Sequence, residues 1–365
     1  MNVNINGPIN IVRLSKKNGK ILYLFFDIHE DISNQTECNT NNNIDIVNYF
    51  HETFSKVKNE IDFFIEASPV IFTETNDNIK KENYIDSLQK WVTRNFNYDK
   101  NRDKVMNSRQ YPNVRFHYFD FRQYFDCLEF KDIDIYSFLN IFTQNMSLLY
   151  KMLKSTSFEY DHKKPILMSE IKNEEIRKRF MYKLLNRYSQ QSVKKTLLKY
   201  INKSYVPHIK KSLDYVYDKF PDINKVNEVF EEPNNKLNTR GYGIDYEKYK
   251  KSSCFIDILA NKVVNMWLDS FVFLVDIYFL RRFLDKKYIK TGVMYAGAFH
   301  CLHIILVLVK YFDYEITNAF YTSVGIKKVN KIIKDLKVDD PYQLMEYLWT
   351  PYLFQCSNLK DFPEF

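Results

Sequence analysis

The sequence contains few of the residues that punctuate loops. Only 7 glycines and 10 prolines occur among 365 residues, so Gly-rich phosphate-binding loops, propellers and repetitive turns are not expected. Cysteine is also scarce, and the five cysteines form no Cys-x-x-Cys pair: Cys38, Cys127, Cys254, Cys301 and Cys356. This wide spacing disfavours a zinc knuckle or a disulfide framework. It predicts a reducing compartment, which we take to be the cytoplasm.

The chain also lacks the segments that direct a protein to a membrane. Its first residues have neither the charged start nor the apolar run of a signal peptide. The stretch from Thr291 to Val309 has no formal charge, and its length of about 19 residues is close to the minimum for a span. It contains His300, His303 and two glycines, however, which favours a buried strand followed by a buried helix. We therefore predict no transmembrane segment.

The sequence does have enough apolar residues for a substantial core. Its hydrophobic fraction of 45% and charged fraction of 27% exclude a disordered chain. The formal net charge is +8, but the basic residues are spread along the chain among 45 acidic ones. A specific nucleic-acid binder usually concentrates its charge in one patch. We therefore predict no specific nucleic-acid partner, with weak attraction to a polyanion or a membrane surface as the open alternative.

Short apolar runs near both ends of the chain predict strands. Helical patterns separate several of these runs, and strand–helix–strand order favours right-handed crossovers between parallel strands. The fold class predicted is therefore α/β with a mainly parallel central sheet. The predicted strands are Ile9–Leu14, Ile21–Phe26, Ile61–Ile65, Val114–Phe119, Val293–Ala296 and Tyr314–Thr317.

The middle of the chain shows helical periodicity and almost no strand signal. We predict that residues 1–130 form the N-terminal part of the α/β core and that residues 131–240 form a large α-helical insertion. Residues 241–365 would then supply a long helix, Ser253–Leu284, and the C-terminal part of the core. The central sheet is thus expected to take strands from both chain ends.

Ionisable side chains follow four of the predicted strands, at the point where each strand ends. The carboxyl ends of parallel strands lie along one edge of an open sheet, and ligands bind in the crevice there. These side chains are therefore expected to converge. They are Asp27 and His29 after the Ile21–Phe26 strand, Glu66 after Ile61–Ile65, Asp120 and Arg122 after Val114–Phe119, and His300 after Val293–Ala296.

Two imidazoles with nearby carboxylates are typical ligands of a divalent transition metal that keeps an open position for water. We expect His29, Glu66, His300 and Asp27 to bind such a metal, with Mn, Co or Zn as candidates. The metal would lower the pKa of its bound water and polarise the scissile group. Without a metal, Glu66 and a histidine could act as general base and acid, with Arg122 binding a developing oxyanion.

Some of these residues have a structural alternative. Asp120 and Arg122 are candidate catalytic residues with Glu66, but two residues of opposite charge so close in sequence could form a simple ion pair. His303 follows His300 by three residues and could share its helix face, although a core position is the simpler interpretation. His117 lies within a predicted strand and Cys301 within a predicted helix, so both are expected to be buried structural residues.

The order of these motifs resembles the TraB/Tiki and erythromycin-esterase-like superfamily. The shared features are a histidine after the first buried strand, a glutamate after the next one in FFIEASP, and the late Gly-x-x-His of Gly297-Ala298-Phe299-His300. The resemblance implies an α/β core interrupted by helices and an active centre built from His29, Glu66 and His300, assisted by Arg122. Members of that group include metal-dependent proteases and esterases. Similar proteins occur in large DNA viruses, which suits the Asn-, Lys- and Ile-rich composition.

The chain departs from that pattern at one position. The first motif has glycine where this chain has Phe26, so Asp27-Ile28-His29 matches only at its histidine. A competing resemblance is that of Asp27-Ile28-His29 to the opening motif of calcineurin-like metallophosphoesterases. The downstream Gly-Asp and Gly-Asn-His motifs of that family do not occur in the sequence.

Two functions from different classes follow from these features. The first is metal-assisted hydrolysis of an amide or ester bond by a His/Glu/His centre, with a peptide or an ester as substrate. The second is a non-catalytic, virion-associated or host-interaction protein on a decayed hydrolase fold. The expected location is the host cytoplasm, or the virion if the chain is viral. The sequence leaves the substrate and the oligomeric state open.

Overall fold

The computed structural model of this chain describes residues 4–17, 19–32, 38, 42–68, 71, 83–99, 104–122, 135–155, 173–220, 253–351 and 354–363. Both predicted domain boundaries, after residues 130 and 240, lie outside these ranges. The strands of the described part are β1 Asn4–Asn6, β2 Asn10–Ser15, β3 Ile21–Asp27, β4 Asn43–Asp45, β5 Ile61–Ile65, β6 Tyr98–Asp99, β7 Lys104–Val105, β8 Val114–Tyr118, β9 Thr291–Gly297, β10 Glu315–Ala319 and β11 Cys356–Asn358.

Helices connect and cover these strands. A π-helical turn, Ile201–Tyr205, joins α5 to α6, and a 3₁₀ turn, Pro341–Leu344, leads into α10. The long helix predicted near the C-terminal part of the core corresponds to α7. The helices are α1 Ile46–Lys56, α2 Tyr84–Asn95, α3 Ile135–Lys154, α4 Asn173–Leu185, α5 Gln191–Tyr200, α6 Val206–Lys219, α7 Ser253–Asp285, α8 Ala298–Tyr311, α9 Ile326–Asp335 and α10 Met345–Leu348.

Six strands form the central sheet in the order β10-β2-β3-β9-β5-β8. Strands β3, β9, β5 and β8 run parallel to one another, whereas β2 is antiparallel to both β3 and β10. The prediction of an α/β fold with a mostly parallel sheet is confirmed. The late strand β9 lies between the two early strands β3 and β5, so its carboxyl end is adjacent to both of theirs.

Both faces of the sheet are buried, because side chains alternate between the faces along each strand. In β3, Tyr23 and Phe25 pack with α1 and α2 on one face. Leu22, Leu24 and Phe26 point to the other face, into a larger core that contains residues of α3 to α8. This two-sided burial explains why the β3 sequence is apolar at consecutive positions rather than at alternate ones.

Helix α7 contains the one span of the described residues, Lys262–Asp285, that is long and apolar enough to cross a membrane. In its most apolar window, 67% of the residues are buried inside the protein. It packs against α8, α5 and α6. This burial is typical of a core helix, in agreement with the prediction of no transmembrane segment.

A three-stranded sheet, β11-β1-β4, ties the C-terminal segment to the start of the chain. Beside it, Cys38 and Cys356 form a disulfide with a Cα–Cα distance of 5.1 Å. The cysteine spacing disfavoured a disulfide framework, and the Cys38–Cys356 bond corrects that expectation for this pair. The partners are 318 positions apart in sequence, and spacing alone gives no signal for a pair that only the folded chain brings together.

We expect reduction of this disulfide to lower the free energy of unfolding by about 2–4 kcal/mol, because the bond restricts the unfolded chain. Denaturant unfolding with and without dithiothreitol measures the effect. The Cys38→Ser variant should show the same loss and no further response to dithiothreitol. A wild-type curve that the reductant leaves unchanged would contradict a stabilising role.

Candidate active site at the carboxyl edge of the sheet

The predicted site residues lie at the carboxyl ends of four adjacent parallel strands. His29 follows β3, Glu66 follows β5, and His300 lies in the first turn of α8, directly after β9. Asp120 and Arg122 follow β8, the next strand in the sheet. The structure thus brings together at one edge all the residues that the sequence analysis placed at strand ends.

Glu66 is the centre of this group. Its side chain is 6% exposed. Its Oε2 atom accepts a hydrogen bond from the Gly297 backbone N–H at 2.8 Å and lies 3.2 Å from His29 Nε2. Its Oε1 atom accepts from an Arg122 guanidinium N–H at 2.6 Å and lies 3.1 Å from His300 Nε2. Four donors therefore occupy the carboxylate, which offers about four lone-pair positions.

The charge of Glu66 is fixed by these neighbours. Burial alone would raise the pKa of Glu66, but the positive charges of His300 and His29 and their hydrogen bonds hold it well below its usual value. Glu66 is therefore ionised throughout the neutral range, and it serves as the anion that holds two imidazoles and a guanidinium together.

His29 is held from both sides of its ring. Its Nδ1 atom lies 2.6 Å from Asp27 Oδ2, and its backbone N–H donates to the same oxygen at 3.2 Å. The backbone φ of 56° is in the left-handed region, which a short loop stabilised by the Asp27 side chain can impose. Burial opposes the charged form, but the charge of Glu66 and the bond to Asp27 raise the pKa of His29 to about 11.

Asp27 is a buried anchor for His29. It is 1% exposed, and its second oxygen, Oδ1, accepts from the Tyr295 hydroxyl at 2.9 Å and from the Gln355 amide at 3.2 Å. Because Asp27 contacts Nδ1 while Glu66 contacts Nε2, the two carboxylates lie on opposite sides of the imidazole. Asp27 therefore orients the ring from behind.

His300 has the same arrangement with a different carboxylate. Its Nδ1 atom lies 2.5 Å from Oδ1 of Asp276, a fully buried residue of α7. Burial opposes the charged form here as well, but the charges of Asp276 and Glu66 raise the pKa of His300 to about 10. Both imidazoles are therefore protonated on both nitrogens at neutral pH, which makes every ring nitrogen a donor to a carboxylate.

A buried chain of hydrogen bonds continues beyond Asp276. Its Oδ2 atom lies 2.8 Å from His303 Nδ1, and His303 Nε2 lies 2.6 Å from the Tyr200 hydroxyl. Burial and the negative charge of Asp339 raise the pKa of Tyr200 well above its usual value, so the hydroxyl stays protonated and donates to His303. His303 thus supports Asp276 and does not face Glu66.

Gly297 is required by the close packing of the centre. A Cβ atom at this position would lie 2.9 Å from His29 Nε2 and 3.2 Å from Glu66 Oε2, which is too short for ordinary contacts. Its backbone N–H also binds Glu66 directly. Gly297 therefore allows the two side chains to meet above the end of β9.

Arg122 connects Glu66 to Asp120. Its guanidinium donates to both oxygens of Asp120, at 3.1 and 2.9 Å, as well as to Glu66. The Asp120–Arg122 ion pair, considered above as a structural alternative, is therefore present and is part of the centre. This bridge places a delocalised positive charge next to the carboxylate, where it can also meet an anionic group.

The remaining titratable residues singled out in the sequence lie away from Glu66. His117 Nε2 is 2.7 Å from Asp62, and Cys301 is a free, buried thiol. Burial raises the pKa of the Cys301 thiol well above its usual value, so it is unsuited to nucleophilic chemistry. Within the described residues, no group of three or more His, Cys, Asp or Glu side chains has the arrangement of a metal site; the candidate ligands are joined by hydrogen bonds instead.

Sequence reasoning did not identify three supporting residues of the centre. Asp276 stands in a long helix of mainly apolar residues, and an acid in that setting is itself a sign of a buried polar partner. Tyr295 falls inside a strand, and Gln355 lies in a C-terminal tail without a clear pattern. No sequence signal links either residue to Asp27.

Comparisons with known proteins place the chain among viral proteins. A family model described as "Family of unknown function (DUF5847)" matches residues 3–157 and 128–365. Two similar proteins of Acanthamoeba polyphaga mimivirus are the uncharacterized proteins R160 and R706. R160 is 30% identical over 429 residues and R706 is 28% identical over 412 residues, and each alignment covers 99% of this chain and 96% of the relative. No solved structure gives a significant match.

Proposed function

We propose that this chain, which belongs to the DUF5847 family, is a hydrolase of amide or ester bonds with His29, Glu66 and His300 at its centre. One observation carries the proposal. Two imidazoles, each held at Nδ1 by a buried carboxylate, direct their Nε2 atoms at the same buried carboxylate. The group lies at the carboxyl edge of a parallel sheet, where open α/β folds bind their ligands. The resemblance to the TraB/Tiki and erythromycin-esterase-like superfamily is a second reason for the proposal.

The donor types of the centre, two imidazoles and a carboxylate, are those that a divalent transition metal such as Mn, Co or Zn takes in proteins, although their present spacing is that of hydrogen bonds rather than of a metal site. The two imidazoles and Glu66 would hold it, with Asp27 and Asp276 orienting the rings as outer carboxylates. Both Nε2 atoms carry a proton at neutral pH, so one divalent ion in place of two protons leaves the net charge of the buried centre unchanged. When bound, the metal would activate water and polarise a carbonyl group.

The chain's own residues have separate roles in this proposal. Glu66 is the anion that fixes both imidazoles, and Arg122 would neutralise an oxyanion that develops beside it. His29 is 38% exposed whereas His300 is 3% exposed, so the substrate would approach from the His29 side. With pKa values of about 11 and 10, neither imidazole is a base at neutral pH while it keeps both protons. A metal would have to displace these protons before either imidazole could bind it.

The predicted helical insertion, residues 131–240, belongs to the same proposal. We infer that it is an insertion into an α/β core formed by the two chain ends. The main contacts of its described helices, α3 to α6, are with one another and with α7 and α8. The proposed location is the virion or the host cytoplasm. The Cys38–Cys356 disulfide favours the virion, since disulfides are rare in the cytosol.

Metal binding and its pH dependence test the proposal. We expect the apparent affinity of chelator-treated protein for Zn²⁺ or Mn²⁺ to rise about 100-fold per pH unit between pH 7 and 9, because two protons leave as one ion binds. Calorimetry in buffers of different ionisation enthalpy measures the protons released. The loaded protein should then hydrolyse members of an ester and peptide panel.

Matched histidine variants distinguish the effect of losing a residue of the centre from the effect of losing another histidine. His29→Asn and His300→Asn should each lose metal binding and lower hydrolysis by about 100- to 10,000-fold. His51→Asn should change neither, since His51 is an exposed residue of α1 bonded to Tyr111. If no metal binds at any pH and no substrate is cleaved, the non-catalytic alternative, a virion-associated or host-interaction protein, replaces the hydrolase.

A further inference from the structure

The Cys38–Cys356 disulfide lies one residue from a side chain that reaches the candidate site. Gln355 precedes Cys356 in the sequence, and its Nε2–H donates to Asp27 Oδ1 at 3.2 Å. The other oxygen of Asp27, Oδ2, lies 2.6 Å from His29 Nδ1. A short chain of contacts through Gln355 and Asp27 therefore connects the disulfide to the more exposed imidazole of the centre.

The side chain of Gln355 is poorly suited to a purely structural position. It is 1% exposed, and its Oε1 atom is buried without a hydrogen-bond partner among the described residues. A buried oxygen without a partner costs free energy, which an apolar side chain of similar size would not. A carboxylate can only accept hydrogen bonds, so the amide N–H has to face Asp27 and the amide oxygen faces away. This cost favours a role of Gln355 in holding Asp27.

The backbone of Gln355 is held against the start of the chain. The Gly7 N–H donates to the Gln355 carbonyl at 2.9 Å, and Cys356 is the first residue of β11, which pairs with β1. Gly7 has a φ of 134°, which favours glycine, and a Cβ atom there would lie 3.3 Å from the Tyr295 hydroxyl. That hydroxyl is the other donor to Asp27 Oδ1. The β1–β11 pair thus packs directly on the groups that fix Asp27.

The disulfide ties this short C-terminal strand to the rest of the molecule. Strand β11 has three residues, and segments near a chain end are poorly ordered unless they are tied down. Cys38 is a firm attachment point, because its backbone N–H donates to Asn6 Oδ1 and its carbonyl accepts from the Asn43 amide, both at 2.8 Å. Cys38 is buried, whereas Cys356 is partly exposed. An external thiolate would therefore reach the bond at Cys356.

We propose that Gln355 is a positioning residue for His29 and that the neighbouring disulfide controls the position of Gln355. A dithiol supplies two electrons and two protons. One of its thiolates attacks Cys356 Sγ and breaks the S–S bond, and its second thiol resolves the mixed disulfide, so that both cysteines become thiols and the dithiol becomes a disulfide. Gln355 then moves away from Asp27, and His29 loses part of its support. A small disulfide such as oxidised glutathione reverses the step.

This control would make the centre sensitive to its redox surroundings. Disulfides persist in oxidising compartments and are rare in the cytosol. His29 would therefore be held in place in an oxidising setting and loosened in a reducing one. The expected effect on metal affinity rests on the proposed function, whereas the expected effect on His29 does not.

Proton exchange of the His29 ring tests the positioning without a metal or a substrate. In metal-free protein at pH 7, the Nδ1–H of His29 is bonded to a buried carboxylate, so NMR should show slow exchange with water. Reduction with dithiothreitol should speed this exchange at least about tenfold, and so should the double variant Cys38→Ser/Cys356→Ser. The Nδ1–H of His300 is the internal reference, because it is bonded to a carboxylate of α7. Its exchange rate should change by less than about twofold.

Two variants of the C-terminal segment distinguish loss of positioning from general loosening of β11. Gln355→Met keeps the disulfide and removes the donor to Asp27. It should speed exchange at His29 about as much as reduction does, and it should lower the apparent affinity for Zn²⁺ about 10- to 100-fold. Ser357→Ala is the control, because it removes a buried hydrogen bond of the same strand, from Ser357 Oγ to a backbone carbonyl at 2.7 Å. It should leave both quantities within about twofold of the wild type.

Each result decides a stated part of the inference. Unchanged exchange at His29 in Gln355→Met would overturn the role of Gln355, and so would an equally large change in Ser357→Ala. Unchanged exchange after reduction would overturn redox control, as would thermal unfolding data showing that the reduced protein no longer folds. If the wild-type protein binds no Zn²⁺ in either redox state, the proposed metal-assisted hydrolase fails, but exchange at His29 still decides whether the disulfide and Gln355 position that residue.

Discussion

Replacing Gly297 with alanine is expected to open the His29–Glu66 contact while leaving the fold intact. The backbone at Gly297, with φ −51° and ψ 143°, is accessible to alanine, so no strain arises from the main chain. The new methyl group would lie 2.9 Å from His29 Nε2, and the imidazole would have to move. Misplacement of a reactive group by about 1 Å can reduce activity about 100-fold, and we expect at least that loss of the proposed hydrolytic activity.

Gly325→Ala is a close control for this substitution. Gly325 precedes α9 as Gly297 precedes α8, its backbone angles are nearly the same at φ −59° and ψ 144°, and no atom lies within 4 Å of the added Cβ. NMR titration of the histidines in metal-free protein gives a readout that does not require a substrate. The pKa of His29 should fall from about 11 towards its ordinary value in Gly297→Ala and stay unchanged in Gly325→Ala. An unchanged pKa of His29 in Gly297→Ala would contradict the tight packing of the centre.

The positions at which the strands of this site end could be predicted from the sequence, because two local rules are sufficient for that prediction. Continuous apolar runs indicate buried strands, and parallel strands share one carboxyl edge. The order of the strands across the sheet could not be predicted in this way. Strand β9 lies between β3 and β5, and this insertion brings His300 to the same carboxylate as His29. That order depends on how distant parts of the chain pair, and a single sequence contains no direct record of it.

Phe26, where the motif of the resembling superfamily has glycine, is a core residue of the sheet. Phe26 pairs with Ala296 in the sheet, and its side chain is fully buried on the face covered by the helices. Gly297 pairs with Asp27, one position further along. Phe26 therefore packs in the core, and Gly297 is the residue of this pair of strands that approaches the centre.

The outer carboxylates show what local sequence reasoning misses. Asp27 is close to His29 in sequence, so their contact is a local one. Asp276 is 24 positions from His300 and lies in the C-terminal half of α7. Its role depends on the packing of α7 against α8, which is set by the whole hydrophobic core. A ring orientation that depends on tertiary packing cannot be deduced from spacing.

Glu66→Gln is expected to have the largest effect on stability. In the wild-type protein, four donors share the two carboxylate oxygens of Glu66. The amide keeps one oxygen and presents an NH₂ group to donors that then lack an acceptor. Removing one partner of a buried ionic group costs about 3–5 kcal/mol of unfolding free energy. Denaturant unfolding at pH 7 measures the loss, and the proposed hydrolytic activity should fall to background.

The pH dependence of stability should change with the same substitution. In metal-free wild-type protein the pKa values of His29 and His300 are raised, to about 11 and 10, above the ordinary value near 6.5. Their contribution is therefore complete below pH 6.5 and is lost progressively as the pH rises towards 10. The lowered pKa of Glu66 adds stability that is lost in acid, below its ordinary value near 4.5. Glu66→Gln should lose part of the acid dependence and part of the alkaline dependence of stability. Its free energy of unfolding should therefore decline less between pH 7 and 10 than that of the wild type.

Glu60→Gln provides the surface comparison. Glu60 is 67% exposed and pairs with Arg115 at the start of β5, so the same chemical change should alter stability by less than about 1 kcal/mol. NMR titration of His300 distinguishes the contributions of Glu66 and Asp276, the two carboxylates beside it, to its pKa. If the pKa of His300 falls in Glu66→Gln, then Glu66 shares control of the imidazole with Asp276, as the geometry requires. Suppose that Glu66→Gln has the wild-type free energy of unfolding, the wild-type decline of stability between pH 7 and 10, and the wild-type pKa of His300. Glu66 is then not the anion that organises the centre.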